Sequence, residues 1–161
     1  MNIFCVLYSL NKRIAIYKRI VYSFYLKHML GSVGNSVYFD YPCRLEGGGW
    51  NNIKIGNNSV INKYCVLGAW KRFGKQCFHP FIEIGENCNI GEYCHITAIN
   101  KIAIGNGLLT GRFVYIGDNS HGGLSLAEST IPPIKRDLIS KGPTVIGNNV
   151  WIGDRVCIWG E

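Results

Sequence analysis

Ile84-Gly85-Glu86-Asn87-Cys88-Asn89-Ile90-Gly91-Glu92-Tyr93-Cys94-His95-Ile96-Thr97 counts in sixes: an isoleucine, then a glycine or small polar residue, with a cysteine four residues after each of the first two isoleucines. Upstream the same beat runs through Val33-Gly34, Phe39-Asp40, Leu45-Glu46, Ile55-Gly56, Ile61-Asn62 and Leu67-Gly68. Downstream it continues through Ile104-Gly105, Thr110-Gly111, Ile116-Gly117, Ile146-Gly147, Ile152-Gly153 and Ile158-Trp159. These are five sets of three hexads. A repeat this short, sustained over most of a 161-residue chain, predicts a parallel β-helix.

Each hexad has a physical task. The aliphatic residue fills the shaft of a prism, and four residues later a second small or branched residue also turns inward: Val37, Cys43, Ser59, Cys65, Cys88, Cys94, Leu108, Val114, Val150, Val156. The glycine and asparagine positions are expected to turn the corners, because they tolerate φ > 0 at little cost. Three short strands then close one triangular coil. Five coils at a strand spacing of about 4.8 Å give an all-β prism roughly 24 Å tall. No coil buries its core alone, so stability is a sum over neighbours and the ends need covering. A β-sandwich would need longer alternating strands and hairpin turns, which the sequence lacks.

The chain is 47% apolar with seven cysteines and a net charge of +7, composition that suits a single soluble domain. No apolar run approaches the ~18 residues of a membrane span. The cysteines show no C-x-x-C spacing, and Cys43, Cys65, Cys88 and Cys94 fall in inward slots. They read as buried reduced thiols and point to a cytoplasmic protein. Residues 1–30 form a separate unit ahead of the repeat domain of residues 31–161. This unit carries Lys12, Arg13, Lys18, Arg19 and Lys27 and no acidic residue. Its apolar residues recur at Ile3, Leu7, Leu10, Ile14, Tyr17, Val21 and Phe24, the period of an amphipathic helix. Such a helix could cap the prism, pack on a partner subunit, or rest on an anionic membrane surface. The basic residues interrupt what would be the apolar core of a secretory signal. Nucleic acid is not an expected partner, since no basic and aromatic interleaving runs along the repeats.

Two segments break the beat, residues 69–83 and 122–145. Long excursions from a rigid solenoid commonly carry function. Where the second one leaves the shaft, Ile116-Gly117-Asp118-Asn119-Ser120-His121-Gly122-Gly123 sets an imidazole at a corner, outside the core and beside two glycines that admit close approach.

The hexads, the run His95-Ile96-Thr97-Ala98-Ile99-Asn100, the corner Asp118-Asn119-Ser120-His121-Gly122 and the return Ser140-Lys141-Gly142-Pro143 to Asn149-Val150-Trp151-Ile152-Gly153 together resemble the left-handed β-helix, hexapeptide-repeat acyltransferases. Within them the chain is similar to bacterial surface-polysaccharide O-acetyltransferases, relatives of the galactoside and maltose acetyltransferases. The resemblance spans residues 31–158. It implies a left-handed coil, a homotrimer with each site in a groove between prisms, acetyl-CoA as acyl donor, and a saccharide acceptor that could be lipid-linked at the inner face of the membrane. His121 then matches the general base. Asn119, Asp118, His95 and Asn100 become candidates for binding the acceptor or orienting the base. Trp151, Lys141 and Gly153 become candidates for the coenzyme A groove. Direct transfer needs neither a metal nor a nucleophilic cysteine.

The family usually continues after Ile158 with a Pro-Gly corner and further coils, whereas this chain has Trp159-Gly160-Glu161. It therefore reads as C-terminally truncated relative to the family, which keeps a non-catalytic scaffold among the alternatives. An acetyltransferase for an antibiotic or amino acid is another. A zinc hydratase of the β-helix type would need three converging histidines. The chain has His28, His79, His95 and His121 and no close pair.

Overall fold

A computed structural model describes residues 2–123 and 125–160. Met1, Leu124 and Glu161, which fall in the N-terminal unit, the second excursion and the last residue of the repeat domain, lie outside the described residues. The chain is a left-handed parallel β-helix preceded by one long helix, α1 (Ile3–Lys27). Three five-stranded parallel sheets form the faces of the prism. The first face stacks Ser32–Val33, Ile53–Ile55, Phe81–Ile84, Lys101–Ile104 and Thr144–Ile146; the second stacks Tyr38–Phe39, Val60–Ile61, Asn89–Ile90, Leu109–Thr110 and Trp151–Ile152; the third stacks Arg44–Glu46, Val66–Ala69, His95–Ala98, Tyr115–Gly117 and Cys157–Trp159.

The register is the one the hexads predict. Leu45, Leu67, Ile96, Ile116 and Ile158 pair in vertical sequence on the third face. Val33, Ile55, Ile84, Ile104 and Ile146 do so on the first. Ile61, Ile82, Ile90, Ile96, Ile102 and Ile116 are completely buried. At about 25 cal/mol per Å² of apolar surface, each such column is the main source of cohesion between coils.

The second inward slot has a polar task as well. The Cys65 thiol donates to the carbonyl of Gly91 at 2.9 Å, Cys88 to Gly105 at 3.3 Å, Cys94 to Gly111 at 3.3 Å, and the Ser59 hydroxyl to Gly85 at 2.9 Å. Each satisfies a carbonyl one coil away that the strand ladder leaves over. A cysteine suits this slot because it is apolar enough for the core yet carries a weak donor. Burial pushes the Cys43 thiol up to about 12, so it stays protonated.

The corners differ from the sequence expectation. Positive φ falls at Asn58, Asn87, Gly107 and Asn149 on one edge, as glycine and asparagine chemistry predicts, but at Tyr64, Tyr93, Phe113 and Arg155 on the next. The large side chains there compensate by stacking: Tyr64 on Tyr93 at 4.6 Å, Tyr93 on Phe113 at 4.9 Å, and the Arg155 guanidinium 5.6 Å over Phe113. Such contacts, worth roughly 0.5–1.5 kcal/mol each, are of the order of the left-handed penalty. The glycine that follows an inward isoleucine does not turn the corner. A Cβ at Gly91 would strike the backbone of Gly111, and one at Gly56 the backbone of Gly85 and Glu86, so these positions are bare to let the coils close.

α1 covers the open end of the first coil, but not with its apolar stripe. Leu26 and Ser23 are buried, Tyr22 is half-buried, and Arg19 pairs with Asp40 at 3.0 Å. The Ser23 hydroxyl accepts from the Phe39 N–H at 2.8 Å, and the Tyr22 hydroxyl accepts from the Cys43 N–H at 3.0 Å. Ile3, Leu7, Leu10, Ile14, Tyr17, Val21 and Phe24 are all exposed. The helical period located the helix; polar groups that satisfy the edge of the first coil decided which side docks.

Replacing Ile90, which is fully buried, by alanine is expected to cost about 2–5 kcal/mol. Ile90→Asp is expected to prevent folding by leaving an unpaired charge in the shaft. Urea unfolding followed by circular dichroism checks both. A loss under about 1 kcal/mol for Ile90→Ala would contradict the inward register.

Candidate functional site

The third face carries the site because both excursions fold over it. Its outward side chains form two columns. One runs Arg44, Val66, His95, Tyr115, Cys157, and the other Glu46, Gly68, Thr97, Gly117, Trp159. The two glycines keep the floor low: a Cβ at Gly117 would run into the Tyr115 ring, and one at Gly68 would crowd Trp70 and Thr97.

The first excursion forms a hairpin, Arg72–Phe73 against Gln76–Cys77. In the second, Ser120–His121 pairs antiparallel with Leu138–Ile139. A short helix, Leu126–Ser129, follows, with its N-terminus capped by the Ser125 hydroxyl. Glu128 reaches back to the Gly123 N–H at 3.0 Å; that bond comes first and the Ser125 hydroxyl second in holding its carboxyl below the usual range. One side chain joins the excursions. The Gln76 amide donates to the Leu138 carbonyl at 3.1 Å and accepts from the Leu138 N–H at 2.7 Å. Beside this clamp the Phe73 ring meets His121 edge-on at 5.1 Å.

Between the excursions and the face lies a half-open cavity of about 620 Å³. Its walls are aromatic and apolar, with Trp70, Phe73, Tyr115, Trp159, Ile134 and Leu138. Its polar groups are His95, Thr97, Asn119, Ser120, His121 and Cys157. His121 is exposed at the rim. His95 is half-buried on the floor, edge-on to Tyr115 at 5.6 Å, and its Nε2 is shielded from solvent without a hydrogen-bond partner among the described residues. Burial lowers the His95 pKa; Glu46 opposes that and Arg44 adds to it. The floor therefore presents a neutral imidazole whose Nε2 is covered by the protein itself.

The structure thus brings together three residues named from the sequence: His121, Asn119 and His95. Asp118 lies beneath the cavity, 1% exposed, its carboxylate accepting from the N–H groups of Ile99 at 2.9 Å and Asn100 at 2.8 Å and from the Asn119 amide at 3.0 Å. Its geometry is that of a brace: it fixes the turn between the third and fourth coils and orients Asn119, and it faces no open space. The Asn100 side chain is exposed and outside the cavity. Trp151 is 77% exposed on the second face, with Gly153 just after it, and Lys141 stands in the loop before the last strand of the first face. None of these three lines the cavity of a single prism. Thr97, Tyr115, Cys157 and Trp159 had not been singled out from the sequence. Their signal is their place beside Ile96, Ile116 and Ile158 in the third hexad of each coil, which puts them outward on one common face. Among the described residues no group of three or more His, Cys, Asp or Glu is placed to hold a metal ion.

Comparison with known proteins agrees with this architecture. No family model matches the chain. It is 30% identical over 122 residues to the putative lipopolysaccharide biosynthesis O-acetyl transferase WbbJ of Escherichia coli K12, an alignment covering 73% of this chain and 57% of that protein. It is 27% identical over 107 residues to the bifunctional protein GlmU of Koribacter versatilis, covering 64% of this chain and 23% of that one. The chain is thus similar to hexapeptide-repeat acyltransferases. It spans a little over half of the first relative's length and about a quarter of the second's. Among solved structures, a variant of the N-acyltransferase AntD from Bacillus cereus, crystallised with dTDP and coenzyme A, superposes with a TM-score of 0.63 at 22% identity over 84% of this chain and 67% of that one. Another AntD variant, with dTDP-4-amino-4,6-dideoxyglucose and coenzyme A, gives 0.57 at 19% identity. These superpositions establish the shared fold.

Asp118→Ala is expected to destabilise the protein by about 2–4 kcal/mol, because it strands buried N–H groups; denaturant unfolding measures this. His95 gives a pH signature. Its folded pKa lies below the ordinary value of about 6.5, so the unfolded chain binds the proton more readily. Stability is full above about pH 6.5 and falls as the pH drops through the unfolded and then the folded pKa. His95→Gln is expected to flatten that acid slope in a series of melts from pH 7.5 to 5.

Proposed function

We propose that the chain is an acetyl-CoA-dependent O-acetyltransferase acting on a saccharide hydroxyl, in a surface polysaccharide or its precursor. The observation that carries this reading is the cavity over the third face, where the exposed His121 imidazole at the rim stands above an aromatic-walled floor. Aromatic walls suit the apolar faces of a sugar ring, and Asn119, Thr97 and Ser120 suit its hydroxyls.

His121 acts as the general base. A sugar hydroxyl is a weak nucleophile, and a neutral imidazole takes its proton as the oxygen attacks the thioester carbonyl. The tetrahedral intermediate collapses by breaking the C–S bond. The proton held by His121 then passes to the departing sulfur, leaving an acetyl ester and free coenzyme A. His95, half-buried and uncharged, lines the floor on which the acceptor rests. Asp118 acts one step back, by holding Asn119.

The donor groove falls between prisms of a homotrimer, where Trp151, Lys141 and Gly153 of one chain lie along the path of the pantetheine arm. The relative named as a lipopolysaccharide biosynthesis O-acetyl transferase favours an oxygen acceptor.

Calorimetric titration with acetyl-CoA tests the donor, and saturable binding is expected. His121→Ala is expected to keep that binding and the melting temperature while lowering transfer at least about 100-fold. Undiminished turnover in that variant would remove His121 as the base, and absence of acetyl-CoA binding would favour a scaffold role.

A further inference from the structure

The apolar stripe of α1 has no partner in the prism. At 100° per residue, Arg19, Tyr22, Ser23 and Leu26, which dock on the first coil, centre roughly 160° away from the stripe Ile3, Leu7, Leu10, Ile14, Tyr17, Val21, Phe24. Those seven side chains are 45–69% exposed. The stripe is roughly 100° wide, and Arg13 and Lys18 lie within about 20° of its two edges. Of the other cations on the helix, Arg19 is paired with Asp40, Lys27 lies over Tyr38 at 5.9 Å, and Lys12 lies over Tyr8 at 4.8 Å. Thus the two cations without such a partner among the described residues are the ones flanking the apolar stripe.

We infer that α1 is an interfacial anchor that lays this stripe into the surface of an anionic phospholipid bilayer while the prism stays in water. The chemistry of the helix selects this occupant. An amphipathic helix with apolar residues on one side and cations at the boundary sinks its apolar face to the headgroup level, with lysine and arginine meeting lipid phosphates. The helix carries no acidic residue between Ile3 and Lys27, so a second copy of the same helix would set like charges against each other, whereas an anionic bilayer complements every one. The helix is about 37 Å long, yet no described helix is long and apolar enough to cross a membrane. It lies on the surface. Near the docked end, Tyr17, Tyr22, Tyr25 and Tyr41 surround a cavity of about 620 Å³ with Lys18 at its side, and tyrosines of this kind favour the headgroup zone. The inference goes beyond the transfer reaction and does not depend on it.

The test uses the full chain in co-sedimentation with vesicles of phosphatidylcholine alone or with 30% phosphatidylglycerol added, and with sedimentation velocity on the same samples. Binding to the anionic vesicles is expected, with little to the neutral ones. Arg13→Gln with Lys18→Gln is expected to weaken it roughly 30-fold, about fivefold for each cation removed near an anionic surface. Leu10→Ser with Ile14→Ser, both exposed and off the docking face, is expected to lose vesicle binding while the melting temperature and the oligomeric state stay unchanged. Three results would overturn the inference: no binding to anionic vesicles, equal binding to neutral ones, or a change of oligomeric state in the Leu10 and Ile14 variant, which would show that a second copy covers the stripe. Acetyl-CoA titration of the same samples separates the two readings. Failure on vesicles with coenzyme binding intact overturns the anchor alone, and the converse leaves the anchor supported while removing the transferase.

Discussion

Closure of each coil against the next is the constraint from which the other features follow. Inward aliphatic residues of neighbouring coils pack on one another, the strands find their hydrogen bonds there, and even the inward cysteine thiols donate across that step. A coil can therefore stack only if nothing projects from it toward its neighbour. Gly91 and Gly56 are bare for that reason, and the third face is flat enough to hold a ligand because Gly68 and Gly117 are bare as well. The regularity that makes the shaft stable also makes it chemically uniform, and His121 is brought by chain that leaves the repeat.

That division explains what was legible in the sequence. The inward columns could be read residue by residue, since one aliphatic position in six admits a single register and its strand partners agree throughout. His121 stood out because it sits where the beat stops. The corners were half legible: asparagine and glycine marked one edge, while the other is turned by Tyr64, Tyr93, Phe113 and Arg155, whose local preference opposes the conformation and whose stacking repairs it. Such a repair joins residues some twenty or more positions apart and leaves no local trace.

The rest of the site was hidden for a similar reason. A hexad says that Thr97, Tyr115 and Trp159 point outward; it does not say that two loops will fold over that face and leave the other two faces open. The resemblance makes Asp118 a candidate for orienting the base or the acceptor, and the structure gives its carboxylate to the N–H groups of Ile99 and Asn100 and to the Asn119 amide. In α1 the apolar period fixed the helix but not its docking side, because the end of a β-helix presents unpaired N–H and carbonyl groups, which Ser23 and Tyr22 can satisfy and leucine cannot.

The Gln76 amide, with its pair of hydrogen bonds to Leu138, ties together segments sixty-two residues apart. A long loop closed only at its base retains most of its conformational freedom, and a tie part-way along divides it into two shorter ones. The hairpin and the strand bearing His121 thus form one rigid wall. Aromatic residues that shape the mouth of the cavity, Trp70 and Phe73, are mechanically joined to the imidazole that would do the chemistry. A change in the hairpin that widens the cavity must also move the His121 imidazole. Under the proposed function, a new acceptor preference is reached only by routes in which both excursions change together.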